Sequence, residues 1–394
     1  SKPRRHCMVV HAYYPLGEMR VQREALALVK HGYEVDVVCL RYEGEQSVGE
    51  VDGVKVHRVP MKRHRGHGLV FQLLEYTTFF FLALGRLLLL HRNRRYGTIQ
   101  VHNPPDFLIY VALIPKLLGA KLIIDLHDLM PEFYADKVGT GMDSLPVRLV
   151  KWQERVSCRF ADQVITVTEV WRKTLIRRGI QANKVNVVMN VADSRLFYRQ
   201  SNEAEVTREM NGFKLVYHGT FTYRYGLDLM IRALDQVRRQ IPDVHLTLLG
   251  NGDAREALVK LVKQLELEKH VYFSPRTHNI EQLPELIRQA DVGIVANRDD
   301  VFTDTLLPTK MMEYIALGTP VIAARTSTIA AYFDDSMVQF FEPGDASSLA
   351  DSITTLYDDP RRLAQLVNDS DRFNQAYRWN DIAASYVSLV DALN

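Results

Sequence analysis

The 394-residue chain has only three cysteines, Cys7, Cys39 and Cys158, far apart and without any CxxC pair. Neither a disulfide framework nor a zinc ribbon is supported, and a reducing compartment fits better. Charge of one sign is also missing: 49 Lys+Arg against 47 Asp+Glu leave a formal +2. A nucleic-acid binder usually carries a large basic excess, so no nucleic-acid partner is expected. The basic opening Ser1–His6 is followed by a short apolar run at 7–10. A secretory leader needs a longer apolar core and a small-residue cleavage site, so a cytoplasmic location is expected. The GxGxxG fingerprint is absent, which weakens a nicotinamide-dinucleotide reading. Apolar residues are not lacking, and at 47% with 24% charged residues they exclude a wholly disordered chain.

What is present is alternation. Short β-branched runs at 8–10, 35–40, 99–101, 121–124 and 164–167 are separated by longer stretches with apolar spacing of three and four, such as Val21, Ala25, Leu28 and Val29. That is the pattern of a parallel sheet covered by helices. A second strand series follows at 213–217, 244–249, 271–273, 292–295 and 320–323. The spacing predicts a first domain over 1–192, a polar linker over 193–212, and a second domain over 213–370. Helices at 371–394 close the chain, and are expected to return to the first domain. In such sheets ligands bind beyond the strand carboxyl ends, so the loops there are the candidates.

Four loops stand out. Residues 14–20, Tyr-Pro-Leu-Gly-Glu-Met-Arg, place Gly17 before a helix amino terminus, where backbone can approach an anion; a plain strand-to-helix turn is the alternative. Residues 124–132 set His127 between Asp125 and Asp128, as a polar cluster beside a substrate or as a buried, satisfied histidine. Metal ligation is disfavoured because no second histidine lies at i+4. Residues 218–226, His-Gly-Thr-Phe-Thr-Tyr-Arg-Tyr-Gly, hold Arg224 in a glycine-bracketed loop suited to phosphate, or to an ordinary surface turn. Residues 307–322 carry the most information. Pro308 suits a helix start and Gly318 its end, leaving the Thr309 and Lys310 N–H groups for an anion. Glu313, one turn on, could accept hydrogen bonds from a sugar diol; a capped amphipathic helix is the bland alternative.

On these residues the chain resembles the family-4 retaining glycosyltransferases. The resemblance covers nearly the whole chain and rests on the loop at 15–17, Val-His-Asn-Pro-Pro at 101–105, Leu-His-Asp at 126–128, His-Gly-Thr at 218–220, Arg224–Gly226, and Glu-Tyr-Ile-Ala-Leu-Gly-Thr-Pro-Val-Ile at 313–322. Residues 20–25 and 32–35 also resemble that family's first helix and second strand. It implies an α/β chain of the GT-B class, two Rossmann-like doubly wound parallel-sheet domains facing a central cleft. Of the family's two glutamates eight positions apart, Glu313 matches the ribose-binding one. The other, which meets the donor sugar, falls on Thr305, with Asp304 beside it as a substitute. Tyr225 stands where a lysine commonly precedes the glycine, leaving Arg224 and Lys310 for the diphosphate, and His127 matches the histidine near the donor sugar.

The resemblance implies a retaining, metal-independent transfer of a sugar from a nucleotide diphosphate, UDP favoured, to an acceptor hydroxyl. Retention without an obvious nucleophile suggests same-face attack assisted by the leaving phosphate. Arg224 and Lys310 would hold the diphosphate, where a metal-dependent enzyme would use a DxD motif; the only one, Asp369-Ser370-Asp371, lies in the closing helices. Gly17, Gly219, Asp304, Thr305, Leu306, Leu307, Thr309 and Glu313 complete the donor set, with Arg276 and Thr277 at the base. Arg20, His102, Asp128 and Glu132 are expected at the acceptor. No cofactor or metal is expected. A nucleotide-sugar 2-epimerase of the same fold and a catalytically silent partner of another transferase remain as rival readings.

One segment stands against the neutral average. Residues 61–96 carry Lys62, Arg63, Arg65, Arg86, Arg92, Arg94 and Arg95 against Glu75, around an apolar stretch from 69 to 90. Glu75 and Arg86 interrupt it, so a membrane span is not expected. On a helix, Gln72, Glu75, Phe79, Leu82 and Arg86 form the most polar stripe. Peripheral contact with the anionic inner face of the cell membrane, and a lipid-linked or polysaccharide-precursor acceptor, are expected; a helix buried against the sheet is the alternative.

Overall fold

Strand β1 (Arg4–Tyr13) is buried from His6 to Ala12, as a strand covered on both faces must be. It belongs to a computed structural model that describes residues 3–16, 18–63, 68–200, 212–275 and 277–394. The chain divides into two units, 1–190 with 380–394, and 191–379. Residues 191–200 thus fall in the second unit, and most of the linker expected at 193–212 lies outside the described residues.

In the first unit, α1 (Met19–Lys30) leads from β1 to β2 (Tyr33–Leu40), which pairs with β1 in parallel. A hairpin that sequence periodicity missed follows, β3 (Val48–Val51) and β4 (Val54–Val59). Its turn is Asp52-Gly53, both at positive φ (51° and 80°), the dipeptide that two-residue hairpins favour. β3 therefore runs antiparallel at the edge of an otherwise parallel sheet. Then come α2 (Leu69–Arg94), β5 (Thr98–His102), a 3-10 turn (Asp106–Ala112), α3 (Leu113–Leu117) and β6 (Lys121–Asp125). α4 (Met130–Val138), α5 (Leu145–Phe160), β7 (Gln163–Thr166), α6 (Glu169–Arg177) and β8 (Val185–Val187) complete the series. The strand order is β3-β4-β2-β1-β5-β6-β7-β8. The step from β1 to β2 runs one way and those from β4 through β8 the other. Right-handed crossovers therefore put α1 on one face and α2 to α6 on the opposite face.

The second unit is a parallel sheet of β9 (Phe213–Thr220), β10 (Val244–Asn251), β11 (Val271–Phe273), β12 (Val292–Val295), β13 (Val321–Ala324) and β14 (Gln339–Phe341) in the order β11-β10-β9-β12-β13-β14. Its helices are α7 (Leu227–Val237), α8 (Arg255–Gln264), α9 (Leu283–Arg288), α10 (Thr309–Leu317), α11 (Ser327–Tyr332), α12 (Ala346–Asp358) and α13 (Pro360–Ala376). The last helix, α14 (Trp379–Asp391), packs almost wholly in the first unit, where the buried Tyr386 hydroxyl donates to Gln100 Oε1 on β5 at 2.7 Å. Each sheet reverses its winding at a central strand, β1 in one and β9 in the other, and the loops beyond those strands mark the ligand crevices.

α2 turns to the sheet its most polar stripe, the one that also carries Phe79 and Leu82. Its buried stripe is Tyr76, Phe79, Ala83, Leu87 and His91, so the stripe containing Glu75 and Arg86 faces the sheet. Both charges find partners there: Glu75 lies 3.1 Å from His11, and Arg86 lies 3.2 Å from His57, whose other nitrogen meets Asp36 at 2.8 Å. The outward face carries Val70, Phe71, Leu73, Leu74, Phe81 and Leu89, each more than half exposed. Thr77 and Thr78 on that side turn their hydroxyls back to the carbonyls of Leu73 and Leu74. Among the described residues, α2 is the one helix long and apolar enough to cross a membrane, and 22% of its most apolar window is buried.

Candidate active site

In the first unit the site forms where β1, β5 and β6 end. His102 on β5 is in register with Asp125 on β6, and His127 follows two residues later. His127 Nε2 lies 3.2 Å from Asp125 Oδ2 and 3.0 Å from His102 Nδ1, and its Nδ1 lies 3.4 Å from Glu18. Burial favours a neutral His127, but the Asp125 and Glu18 carboxylates outweigh it and push its pKa up to about 10. The two carboxylates thus favour its imidazolium form. Burial lowers His102, which stays neutral beneath it.

Arg20 grips both oxygens of Asp125, Nε to Oδ2 at 3.0 Å and Nη2 to Oδ1 at 2.8 Å, and donates to the Val188 carbonyl at 2.6 Å. Burial opposes ionisation of Asp125, yet Arg20 and His127 hold its carboxyl well below the usual range. Further back, Gln100 Nε2 donates to Glu24 at 2.7 Å while its oxygen accepts from Tyr386. Burial and nearby Asp125 raise Glu24 to about 8. Asn103 ties the loops together. Its oxygen accepts from the His127 N–H at 2.6 Å, and its Nδ2 donates to Asp106 at 2.8 Å and to the Asp128 carbonyl at 2.7 Å.

His102, Asp125 and His127 also present ligand atoms within 4.8 Å of one another, the spacing of a metal site. The second histidine missing at helical spacing is thus supplied by the neighbouring strand. Arg20 fills both Asp125 oxygens, however, and an imidazolium already sits among them, so the cluster is arranged around a cationic side chain.

In the second unit the site is built at the end of β9 and the start of α10. The N-cap of α10 is Pro308, and Gly318 at φ 78° ends it; the Met311 N–H bonds the Pro308 carbonyl at 3.0 Å, which leaves the Thr309 and Lys310 N–H groups as the first-turn donors for an anion. Lys310 Nζ lies 4.7 Å from the ring centre of Tyr217 and 4.3 Å from that of Tyr225, and 3.4 Å from the Tyr217 hydroxyl. The residue in the customary lysine position therefore covers a lysine from another element. Burial lowers Lys310 to about 8, against the raising effect of Glu313. Gly219, at φ 126°, is where the Lys310 side chain crosses: a Cβ there would stand 3.2 Å from Cε. Glu313 is nearly buried, 2.9 Å from His218 Nε2, and the His218 N–H donates to the Tyr314 hydroxyl at 3.1 Å. Arg224 sits on the 3-10 turn Tyr223–Tyr225, its guanidinium 5.2 Å from the Phe302 ring centre.

Several expected roles change. Gly17 and Arg276 lie outside the described residues. Arg20 and His102 are buried under His127 and do not face an acceptor; they position it. Glu132 is buried and paired with Arg178, which also grips Glu154 at 3.0 Å, so it serves the α4–α5 packing. Of the four acceptor residues, Asp128 alone remains half-buried at the loop surface. Asp304, beside the position of the missing glutamate, is half-buried, and its Oδ1 accepts from the Ser327 N–H at 2.6 Å, at the start of α11. Thr305 donates to the Phe302 carbonyl at 2.7 Å. Leu306, Leu307 and Thr309 are half-buried on the approach to α10, and Thr277 is exposed beyond β11. Glu18, Tyr217 and the Tyr386–Gln100–Glu24 link were missed because only strand pairing and chain return bring them to the site.

Comparison with known proteins adds the following. Residues 17–190 match the family profile described as "Glycosyl transferase 4-like domain", and residues 199–373 match "Glycosyl transferases group 1". The chain is 25% identical to the chitobiosyldiphosphodolichol beta-mannosyltransferase of Candida glabrata, over 93% of this chain and 87% of that protein. Its fold matches sucrose-phosphate synthase from Thermosynechococcus elongatus with a TM-score of 0.81 at 18% identity, covering 99% of both chains. It also matches Anabaena HepE in complex with UDP, with a TM-score of 0.71 at 17% identity, covering 99% of this chain and 100% of that one.

Proposed function

We propose a reaction for this chain on the premise that it belongs to the family-4 glycosyltransferases of the GT-B fold. It moves a sugar from a nucleotide diphosphate, with UDP favoured, to a hydroxyl of a lipid-linked acceptor, keeping the anomeric configuration and using no metal. The observation that carries the reading is the convergence of Lys310, the open first turn of α10 and Glu313 on the Gly219 loop. A diphosphate needs cationic and N–H donors as it departs, and Lys310 with the α10 amino terminus supplies both. Arg224 adds a second cation from the turn whose Tyr225 covers Lys310. Glu313, held by His218, is the acceptor for a ribose diol.

The first unit serves the acceptor, and its His127 side chain is a hydrogen-bond donor for a hydroxyl of the reacting sugar. The carboxylates beside it, Asp125 and Glu18, are engaged by Arg20 and by His127 itself, so neither is a free nucleophile. This supports same-face attack over a covalent intermediate. The outward apolar face of α2, with Arg92 and Arg95 exposed at its end, supports peripheral contact with an anionic membrane on its cytoplasmic side. The relative from Candida glabrata, named for a dolichol-linked saccharide, supports a lipid-linked acceptor.

The test is a thermal-shift panel of UDP-, GDP- and ADP-sugars, followed by a donor-turnover assay on whichever binds. One nucleotide class is expected to raise Tm. Glu313→Ala and Lys310→Ala should each weaken that nucleotide by about tenfold or more, as loss of a hydrogen bond to a charged group does. Wild-type affinity in both variants would sink the proposal.

A further inference from the structure

A cavity of about 300 Å³ opens in the first unit between α2, the 3-10 turn after β5, α4 and α5. That lies at the lower end of the ~300–1,000 Å³ typical of small-molecule sites. Its walls are apolar: Tyr76, Phe107, Met130, Phe133, Tyr134 and Val150. The polar groups on the lining are few: Gln72 and Lys137 are bonded to each other, Gln72 also donates to the Tyr76 hydroxyl, Asp106 accepts from Asn103, and Gln153 stands on α5. A saccharide needs many convergent donors and acceptors, which this interior does not offer; hydrocarbon needs none.

Three features say what kind of hydrocarbon. First, the cavity lies at the carboxyl edge of the sheet, since α2, the 3-10 turn and α4 follow β4, β5 and β6. Met130 in its wall is three residues from His127, and Asn103 bonds both the His127 N–H and the Asp106 carboxylate on the lining. Second, the cavity is continuous with the outward face of α2: Leu69, Val70 and Leu73 line it and are 37%, 72% and 58% exposed. Leu145, Leu149 and Trp152 extend that exposed apolar surface along α5. Third, the surroundings are basic. On α5, Arg148 and Lys151 flank Val150 in the cavity wall, while Glu154 on the same helix is buried. Two copies of such a surface would oppose like charges, whereas an amphiphile with an anionic headgroup is complementary to it.

We infer that this cavity holds the hydrocarbon chain of the acceptor lipid and presents its headgroup to the His127 loop. The inference rests on the lipid-linked acceptor proposed above. It is tested by titrating the full chain calorimetrically with butyl, hexyl and octyl phosphate below their micelle concentrations. Affinity should rise about fourfold per added methylene, as full burial of each group predicts. Leu73→Trp and Val150→Trp, which fill the cavity from two different helices, should abolish that dependence. Phe81→Glu, further along the exposed face, should keep it. The nucleotide-induced Tm shift, a property of the other unit, is measured in the same variants and should not change. An affinity independent of chain length, or a dependence that survives both tryptophan variants, overturns the inference. So does its loss in Phe81→Glu alone, which would put the chain on the outer face. Absence of any nucleotide shift in the wild type would instead defeat the transferase reading, and leave the cavity result standing by itself.

Discussion

Two cations of opposite history sit on this chain. Lys310 is pulled down to about 8 by burial, and His127 is pushed up to about 10 by the carboxylates that outweigh its burial. A lysine near 8 loses its charge just above neutrality, so nucleotide affinity should fall as pH rises through 8, read as Kd across pH 6.5 to 9.5. In Lys310→Arg the affinity should stay flat over that range, because a guanidinium does not titrate there. His127 is raised above its unfolded value of about 6.5. Its ionised form therefore contributes stability that is complete below about 6.5 and is lost as pH climbs through about 10. His127→Asn should flatten that part of the stability profile. It should also cut sugar transfer by about a hundredfold or more while leaving the nucleotide Tm shift intact, as removal of one charge-stabilising donor does. His127, Lys310 and Glu313 stood out in the sequence because each lies within a compact motif. Their partners did not: Glu18 lies in the singled-out 14–20 loop but only strand order brings it to His127, and Tyr217 and Tyr386 arrive by strand pairing and by the return of the last helix.

At the scale of elements, α10 depends on a residue that carries no side chain. Gly293 on β12 has the Tyr314 ring so close that a Cβ would lie 2.5 Å from it. Tyr314 in turn accepts from the His218 N–H and directly follows Glu313 on the helix. Gly293→Ala should destabilise the second unit by about 1–3 kcal/mol, the usual effect of overpacking a filled core. Because Tyr314 must shift, nucleotide affinity should fall too; denaturant unfolding with and without nucleotide separates the two effects. The helix itself was legible from Pro308 and Gly318, though Pro308 proves to be its cap and not its first residue. The β3–β4 hairpin had a readable signal as well, Asp52-Gly53, but its short alternating strands were overlooked among longer apolar runs. α2 shows the limit of pattern reading. Its most polar stripe, which also carries Phe79 and Leu82, is the covered one, and the sheet supplies His11 and His57 to receive its charges.

For the whole molecule, an apolar helix face turned outward beside exposed arginines predicts reversible membrane association. The chain should co-sediment with vesicles containing phosphatidylserine more than with neutral ones, and less at 0.5 M salt. Attraction between exposed charges is screened over about 10 Å at 0.1 M and over shorter distances above it. Phe81→Glu should reduce binding to both vesicle types, and Arg92→Glu with Arg95→Glu chiefly to the anionic ones. Equal binding to both vesicle types by the wild type would remove the electrostatic part of this account.

The sequence by itself determined the α/β class, the two strand series, the closing helices and the motif residues His127, Arg224, Lys310 and Glu313. Such features are local: strand and helix periods, caps and short loops are written in neighbouring residues. The tertiary structure alone decided that His102 and Arg20 lie beneath His127, that Glu132 pairs with Arg178, that Asp304 accepts from the Ser327 N–H, and that the last helix reaches back through Tyr386 to Gln100. It also decided which side of α2 is covered. A side chain's role depends on which partners remain after packing, and residues hundreds of positions apart in the chain supply those partners.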